Sequence, residues 1–323
     1  MEINLNKIFI TAEIGLNHNN NFNETKKLIH HAIDAGADAV KFQLFKASSL
    51  YKTNSKEYKF LKKYETKFSF YKKIETYCKK KNIICYASPF DKHSINFLIE
   101  SNVQMYKWAS SEIGKLDSLK KISSKKKLII ISTGMANEED IKDALKVIKK
   151  TGNKHVVLMH CVSEYPQKIE NANINKLDQL RKFGFKLGFS DHSNSSTSAI
   201  LAIAKGVRFL EKHITLDKKA KGPDHFYATE IKQFKKYVKE IRDAETALGS
   251  QKLEYDSHVI FNTRRETYYA KKFIKKGTKL NYGHMYLKRS LEGLNINSVK
   301  KFINKKIKLN INKDFAIKKD YFK

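Results

Sequence analysis

Three features are scarce in this 323-residue chain: cysteine, acidic side chains and long apolar runs. The three cysteines, Cys78, Cys85 and Cys161, are odd in number and too few for a disulfide framework or a four-thiolate zinc site. A reducing, cytoplasmic setting is expected. No apolar stretch approaches the roughly 18 residues needed to cross a bilayer, so no membrane partner is expected. The N-terminus MEINLNKIFI lacks a charged region followed by an apolar core and a cleavage site, and no secretory signal is expected. Acids are outnumbered, 33 against 64 lysines and arginines, leaving a formal charge of +31. Such a surplus fits a nucleic-acid binder or an enzyme that attracts anions. It fits equally a lysine-rich composition spread over solvent-facing helix positions. Runs such as Lys79–Lys81 and Lys125–Lys127 carry no interleaved arginine and aromatic residues, which favours the second account and argues against a nucleic-acid partner.

What the chain does have is a repeat of short β-prone segments. They are IFITAE (8–13), AVKFQ (39–43), IICYAS (83–88), QMYKWAS (104–110), LIIIST (128–133), VVLMH (156–160), KLGFSDH (186–192) and RFLEKH (208–213). Between them lie segments of helical period, such as ETKKLIHHAIDAGA and EEDIKDALKVIKKTG. Strands alternating with helices indicate a parallel sheet, and eight such units are the number that closes a (β/α)8 barrel. A helix is expected over 229–248, ended by Gly249 and Ser250. We therefore expect a barrel domain over 1–250, a linker over 251–264 with no sustained period, and a small module of short strands over 265–323 with a turn at Lys276-Gly277. The last segment is too short for a second catalytic domain and suits a lid or recognition module.

A barrel's active site forms from side chains at the C-terminal ends of its strands. Those positions hold Glu13, Lys41, Gln43, Ser88, Lys107, Ser110, Glu112, Ser132, Ser163, Tyr165, Ser190, His192 and His213. Lysine ammonium groups and serine hydroxyls together suit an anion such as phosphate. Lys41 and Lys107 have apolar neighbours (AVKFQ, QMYKWA), so they point inward rather than decorate a helix. His192 and His213 end neighbouring strands, where both imidazoles could hold one divalent cation. Either histidine alone reads equally as a hydrogen-bonded polar residue. Glu13 and Glu112 are candidates for proton handling, with a structural ion pair as the alternative for each. Asp224, in KGPDH, sits in a Gly- and Pro-bearing turn. His160 is assigned a supporting role.

The segments AEIGLNHNN, DAVKFQ, ASPF, YKWASSEI, ISTGM, HCVSEYP, GFSDHS and LEKHITLDKKAKGPDH together resemble the nonulosonic (sialic) acid synthase family. They span nearly the whole barrel in order. The C-terminal segment resembles the antifreeze-like (SAF) domain of those enzymes, with LKRS at the place of an arginine-bearing motif. The resemblance implies condensation of phosphoenolpyruvate with an N-acylated hexose, such as N-acetylmannosamine, to a nine-carbon 2-keto sugar acid and phosphate. It implies a phosphoenolpyruvate site of Lys41, Ser88, Lys107, Ser110, Ser132, Ser163 and Ser190. It places Mn²⁺ or Mg²⁺ on His192 and His213, and the sugar against Glu13, Gln43, Tyr165 and Asp224. Glu112 matches a glutamate near the metal and its water. Arg289 would reach the sugar's acyl group from the partner of a domain-swapped homodimer. Departures from the family pattern are Ser163 for asparagine, Ser88 for threonine, and SLEGLN without Pro-Gly after Arg289. Two other classes compete: a different metal-dependent barrel enzyme such as a hydrolase, and a non-catalytic carbohydrate-binding protein. The first strand has AEIGLNH rather than the HxH of a typical hydrolase site, and a pure binder has no use for both a metal pair and a phosphate cradle.

Overall fold

A computed structural model describes residues 7–250 and 265–322 of the chain. Its contacts separate into two units, Met1–Gly249 and Ser250–Lys323. The linker expected over 251–264 lies outside the described residues.

In the first unit, eight strands run parallel: β1 (Phe9–Gly15), β2 (Ala39–Leu44), β3 (Ile84–Pro89), β4 (Met105–Trp108), β5 (Leu128–Ser132), β6 (Val156–Cys161), β7 (Lys186–Ser190) and β8 (Val207–Thr215). Their hydrogen-bonded order is β3-β2-β1-β8-β7-β6-β5-β4, and β3 and β4 meet side by side to bring the ring round. A two-residue strand, β9 (Thr229–Glu230), pairs with the end of β8. This is the near-closed eight-stranded parallel barrel that the repeat implies. The fourth strand is shorter than its apolar run. After Trp108 the chain turns into a 3₁₀ segment, Ser110–Glu112, whose last carbonyl accepts the Trp108 indole N–H at 2.9 Å.

Side chains alternate inward and outward along each strand, and the ladder aligns them in layers. Phe9, Ala39, Ile84, Met105, Ile130, Val157 and Phe209 pack the lower interior with Tyr86 and Met159. Thr11 meets the Tyr86 hydroxyl at 2.8 Å. Above them the inward positions become polar: Glu13, Lys41, Lys107, Ser132, Ser190, Glu211 and His213. Outward residues such as Ile10, Val40, Phe42, Leu158 and Leu210 join the helices in one large apolar shell. Several of those helices, Phe22–Asp34, Lys92–Glu100 and Glu138–Thr151 among them, start at a side-chain cap. Asn137 and Asp140 close a reciprocal capping box at the head of Glu138–Thr151, and Gly152 ends it at φ 73°.

The loop after β1 is fixed by His18, buried between Phe42 and Phe70 at ring distances of 5.7 and 5.6 Å. Its Nδ1 accepts the Asn20 N–H at 3.0 Å, which leaves Nε2–H to face Thr66 Oγ1 at 3.4 Å.

The second unit holds an antiparallel pair, β10 (Glu266–Ala270) and β11 (Met285–Arg289). Isolated bridges such as Ile274↔Ile311 and Lys279↔Lys306 replace the further short strands expected there. Ala270, Ile274, Leu280, Val299, Ile307, Ile311 and Ile317 form its own apolar centre, and Gly277 makes the expected turn at φ 87°. Among the described residues, no helix is long and apolar enough to cross a membrane.

Burial holds the His18 imidazole down at about 4, below its ordinary value near 6.5. Between those two values the unfolded chain takes up a proton that the folded chain refuses, so stability is full above pH 6.5 and falls as pH drops toward 4. The total effect is about 3 kcal/mol. His18→Gln is expected to flatten the acid limb of a stability-versus-pH curve by up to ~1.4 kcal/mol per pH unit. An unchanged slope in urea titrations across that window counts against His18 as its source.

Candidate active site

The C-terminal ends of the strands surround a cavity of about 470 Å³. Its deepest groups are two ammoniums on the parity-matched inward positions of β2 and β4. Lys41 and Lys107 are 4% and 3% exposed. Burying two like charges in one cage demands a counter-ion. Glu211, inward on β8, supplies it: one carboxylate oxygen lies 3.3 Å from Lys41 Nζ and 3.4 Å from Lys107 Nζ, and accepts from Ser190 Oγ at 3.1 Å. Each lysine also donates to a serine, Lys41 to Ser88 at 3.2 Å and Lys107 to Ser132 at 2.7 Å. Burial opposes the charge on Glu211, but Lys107 and Lys41 outweigh it and hold the carboxyl at about 2. Lys107 is lowered by burial, against the pull of Glu211.

Glu13 stands beside Lys41 at 3.2 Å and accepts from Gln43 Nε2 at 3.2 Å. Burial and the nearby Glu211 charge outweigh Lys41, and its carboxyl is pushed up to about 7. Its second oxygen, Oε2, is buried without a hydrogen-bond partner. A carboxyl so placed exchanges a proton near neutrality, as a general acid or base does.

The two imidazoles lie 5.6 Å apart between ring centres. His192 Nδ1 donates to the Val162 carbonyl at 2.7 Å, leaving Nε2 as the lone-pair side, 3.1 Å from Ser190 Oγ. His213 Nδ1 is buried without a hydrogen-bond partner. Burial holds His192 down at about 4 and His213 well below its ordinary value, so both are neutral, the form that binds a cation. Backbone orientation of one ring and an unpartnered nitrogen on the other fit a divalent cation. No cluster of three His, Cys, Asp or Glu suited to a metal occurs among the described residues, so this chain would supply two donors and leave the rest to water or substrate.

The loop carrying His192 is held from behind. Lys212 points out of the barrel, between inward Glu211 and His213. It meets Asp191 Oδ2 at 3.1 Å and the carbonyls of Asp191 and Ser193 at 3.4 and 2.7 Å. Its ammonium also lies 4.7 Å from the centre of the Tyr237 ring. Both neighbours of His192 are thus tied to the strand that bears His213.

On the opposite side, the ladder slips by one residue between Glu13 and Gly15, a bulge that turns the chain away from the barrel. Gly15 sits at φ 55°, and a Cβ there would lie 2.7 Å from Asp224 Oδ2 and 3.3 Å from Gln43 Nε2. The missing side chain lets Glu13, Gln43 and Asp224 converge. The Leu16 N–H reaches Asp224 Oδ2 at 3.4 Å, and burial raises the Asp224 carboxyl above its ordinary value.

Glu13, Lys41, Gln43, Ser88, Lys107, Ser110, Ser132, Ser163, Tyr165, Ser190, His192, His213 and Asp224 all line this one cavity. Glu112 does not; its carboxylate pairs with Lys115, and Ser111 lines the wall instead. Arg289 belongs to the second unit, where it ends β11 opposite Glu266. His160 is buried and bonded to the Ala172 carbonyl at 2.8 Å. Reasoning from strand ends missed Glu211, Cys161, Met135, Phe226 and Tyr227. Glu211 was accessible by parity, since it stands two residues before His213 on the same strand and shares its face.

Residues 28–253 match the model of the NeuB family. The chain is 35% identical to an N,N'-diacetyllegionaminic acid synthase of Campylobacter jejuni, over 97% of this chain and 100% of that protein. It is 32% identical to a pseudaminic acid synthase of the same species, over 98% and 97% of the two chains. The crystal structure of an N-acetylneuraminic acid (sialic acid) synthetase from Leptospira borgpetersenii, in complex with citrate, superposes with a TM-score of 0.74 at 33% identity. That match covers 78% of this chain and 89% of the other.

Two substitutions probe this architecture. Lys212→Met strands the Asp191 carboxylate and is expected to cost about 3–5 kcal/mol in denaturant unfolding. Adding Asp191→Ala should recover part of that loss; fully additive losses would show that the pair is not coupled. Gly15→Ala should lower turnover at least ~tenfold by displacing Asp224, with far-ultraviolet circular dichroism unchanged. Wild-type turnover in that variant would show that the close approach is dispensable.

Proposed function

The chain belongs to the NeuB family, as a transferase condensing phosphoenolpyruvate with an acylated hexose, and we propose that its acceptor is N-acetylmannosamine or a di-N-acetylated 6-deoxyhexose. The observation that carries this reading is the pair of buried lysines, each with its own serine, sharing the single carboxylate Glu211. Such a cage is preorganised for a small, multiply charged anion that competes with Glu211 for the two ammoniums.

In the proposed reaction, Lys41, Lys107 and the hydroxyls of Ser88, Ser110, Ser132, Ser163 and Ser190 hold phosphoenolpyruvate by its phosphate and carboxylate. Glu13, Gln43, Tyr165 and Asp224 hold the open-chain sugar above it. The enol carbon forms a bond to the sugar's aldehyde carbon, whose oxygen takes up a proton. Water adds at the cationic C2, and loss of phosphate by C–O cleavage leaves the 2-keto acid. A divalent cation, Mn²⁺ or Mg²⁺, held by His192 and His213 would supply Lewis-acid activation of the aldehyde oxygen. Glu13, poised at about 7, is suited to carry the proton at the sugar oxygen. Glu112 reaches the attacking water only if Lys115 releases it. Most of the remaining barrier reduction is assigned to holding two polar reactants face to face.

We further propose that the second unit is an antifreeze-like (SAF) module and that the protein works as a domain-swapped homodimer in the cytoplasm. Arg289 of the partner would then approach the sugar's acyl group. The support is resemblance together with a small antiparallel sheet that has its own apolar centre.

Following free phosphate with phosphoenolpyruvate, Mn²⁺ and each candidate sugar tests the reading. Release with one of them and a product of the expected nine-carbon mass is the expected outcome. No release with any N-acylhexosamine sinks it. His213→Ala should abolish metal-dependent turnover and the rise in melting temperature on adding Mn²⁺; near-normal activity at saturating Mn²⁺ overturns the ligand assignment.

A further inference from the structure

The segments AEIGLNHNN and GPDH hold three polar residues to which the proposed reaction gives no duty: Asn17, Asn19 and His225. All three lie at one seam, where the loop after β1 meets the end of β8 and the loop that follows it. Asn17 Nδ2 donates to the Ile214 carbonyl at 2.9 Å, tying the first loop to β8. The described residues 216–228, which carry Asp224, form no helix or strand, so tertiary contacts must place them. His225, 3% exposed, makes such a contact at each ring nitrogen. Thr215 Oγ1 gives its hydrogen to the Asp217 carbonyl at 3.0 Å, so His225 Nδ1–H donates to that oxygen at 2.7 Å. Nε2 is then the lone-pair side, and it accepts from Asn19 Nδ2 at 3.3 Å. The loop also folds back onto the ring, since a Cβ on Gly222 would lie 2.5 Å from His225 Cδ2. The Asn19 N–H donates to the Leu16 carbonyl at 3.1 Å, and the Leu16 N–H reaches Asp224 Oδ2 at 3.4 Å. The contacts therefore close a circuit from His225 through Asn19 and Leu16 to Asp224, its neighbour in the chain.

We propose that His225 is a positioning residue for the sugar: by joining Asn19 to Thr215 it fixes the backbone at Asp224 and holds that carboxylate beside Glu13 and Gln43. The inference rests on the synthase reading above, in which those three side chains face the sugar. His225 is not among the residues lining the cavity, so it acts through Asp224 and not by touching substrate. The circuit contains neither lysine of the cage and none of its serines. The role therefore has a direction: the sugar side depends on His225, and the phosphoenolpyruvate side does not.

His225→Ala removes both ring contacts. Asn19→Gly removes only the one at Nε2, without strain, because Asn19 sits at φ 49°. With whichever of N-acetylmannosamine or the di-N-acetylated 6-deoxyhexose supports phosphate release, His225→Ala should raise the sugar KM roughly five- to fiftyfold, the scale of two neutral hydrogen bonds. Asn19→Gly should raise it about two- to tenfold, and it decides the question if His225→Ala does not fold. The KM for phosphoenolpyruvate should stay within about twofold in both variants, because that site is untouched. Combining the two should add less than about a twofold change to His225→Ala alone, since the Asn19 contact is already lost there. A purely structural role would lower the melting temperature and the active fraction, so kcat would fall with both KM values unchanged. That result, equal rises in both KM values, or full additivity of the two substitutions each overturns the proposal. Absence of phosphate release by the unmodified protein is a different failure, which removes the synthase reading first and this inference with it.

Discussion

One carboxylate holds the mouth of the barrel together. Glu211 lies almost fully buried between Lys41 and Lys107, which come from the two strands flanking β3. An ammonium moved out of water costs several kcal/mol, and two side by side add mutual repulsion. Without a counter-charge at that point the lysines would lose their protons or turn outward, and the cavity would lose its two buried cations. A single oxygen of Glu211 meets both lysines and Ser190, so three strands are referenced to one atom. The price is an internal competitor: any anion must take the lysines' hydrogen bonds from a carboxylate already there. That competition suits a ligand with several negative oxygens and disfavours a weak monoanion.

The same strand organises the histidine side by alternation. Along LEKHI, Glu211 and His213 face inward while Lys212 faces the helices, where it grips the backbone on both sides of His192. The inward residues therefore line the cavity, and the outward one sets where the neighbouring strand's histidine sits. Period-two geometry makes this coupling rigid, because no residue of the three can turn without moving the others.

The barrel was legible because eight strand-like runs at regular spacing have few other solutions, and the observed strands begin and end within a few residues of those runs. Most of the mouth was legible for the same reason, since strand ends point there. What escaped the reading is informative. Glu211 sits one inward step below the strand end, so a rule confined to terminal residues passes over it. Glu112 occupies the right stretch of chain, but the 3₁₀ turn after Trp108 rotates it toward Lys115 and presents Ser111 instead. No period or propensity announces that local rotation. Tyr227 lies in a loop held by tertiary contacts, where sequence carries little directional information. In the second unit, several short strands were expected; among the described residues β10 and β11 form a ladder, and the pairing beyond it exists as single bridges.

The large positive charge takes on a different meaning in this light. Lysines such as Lys79, Lys80, Lys125, Lys142, Lys149 and Lys150 are exposed or lie on helix faces, as a lysine-rich composition would place them. Lys41 and Lys107 differ from them in burial, not in charge. A surface ammonium at high dielectric contributes little specificity and is screened within about 10 Å. An ammonium in the barrel, fixed by a serine and a carboxylate, keeps its direction and most of its field. The function of this chain therefore does not scale with its net charge. In the proposed reaction it rests on two cations out of 64 basic residues, with one acid placed between them.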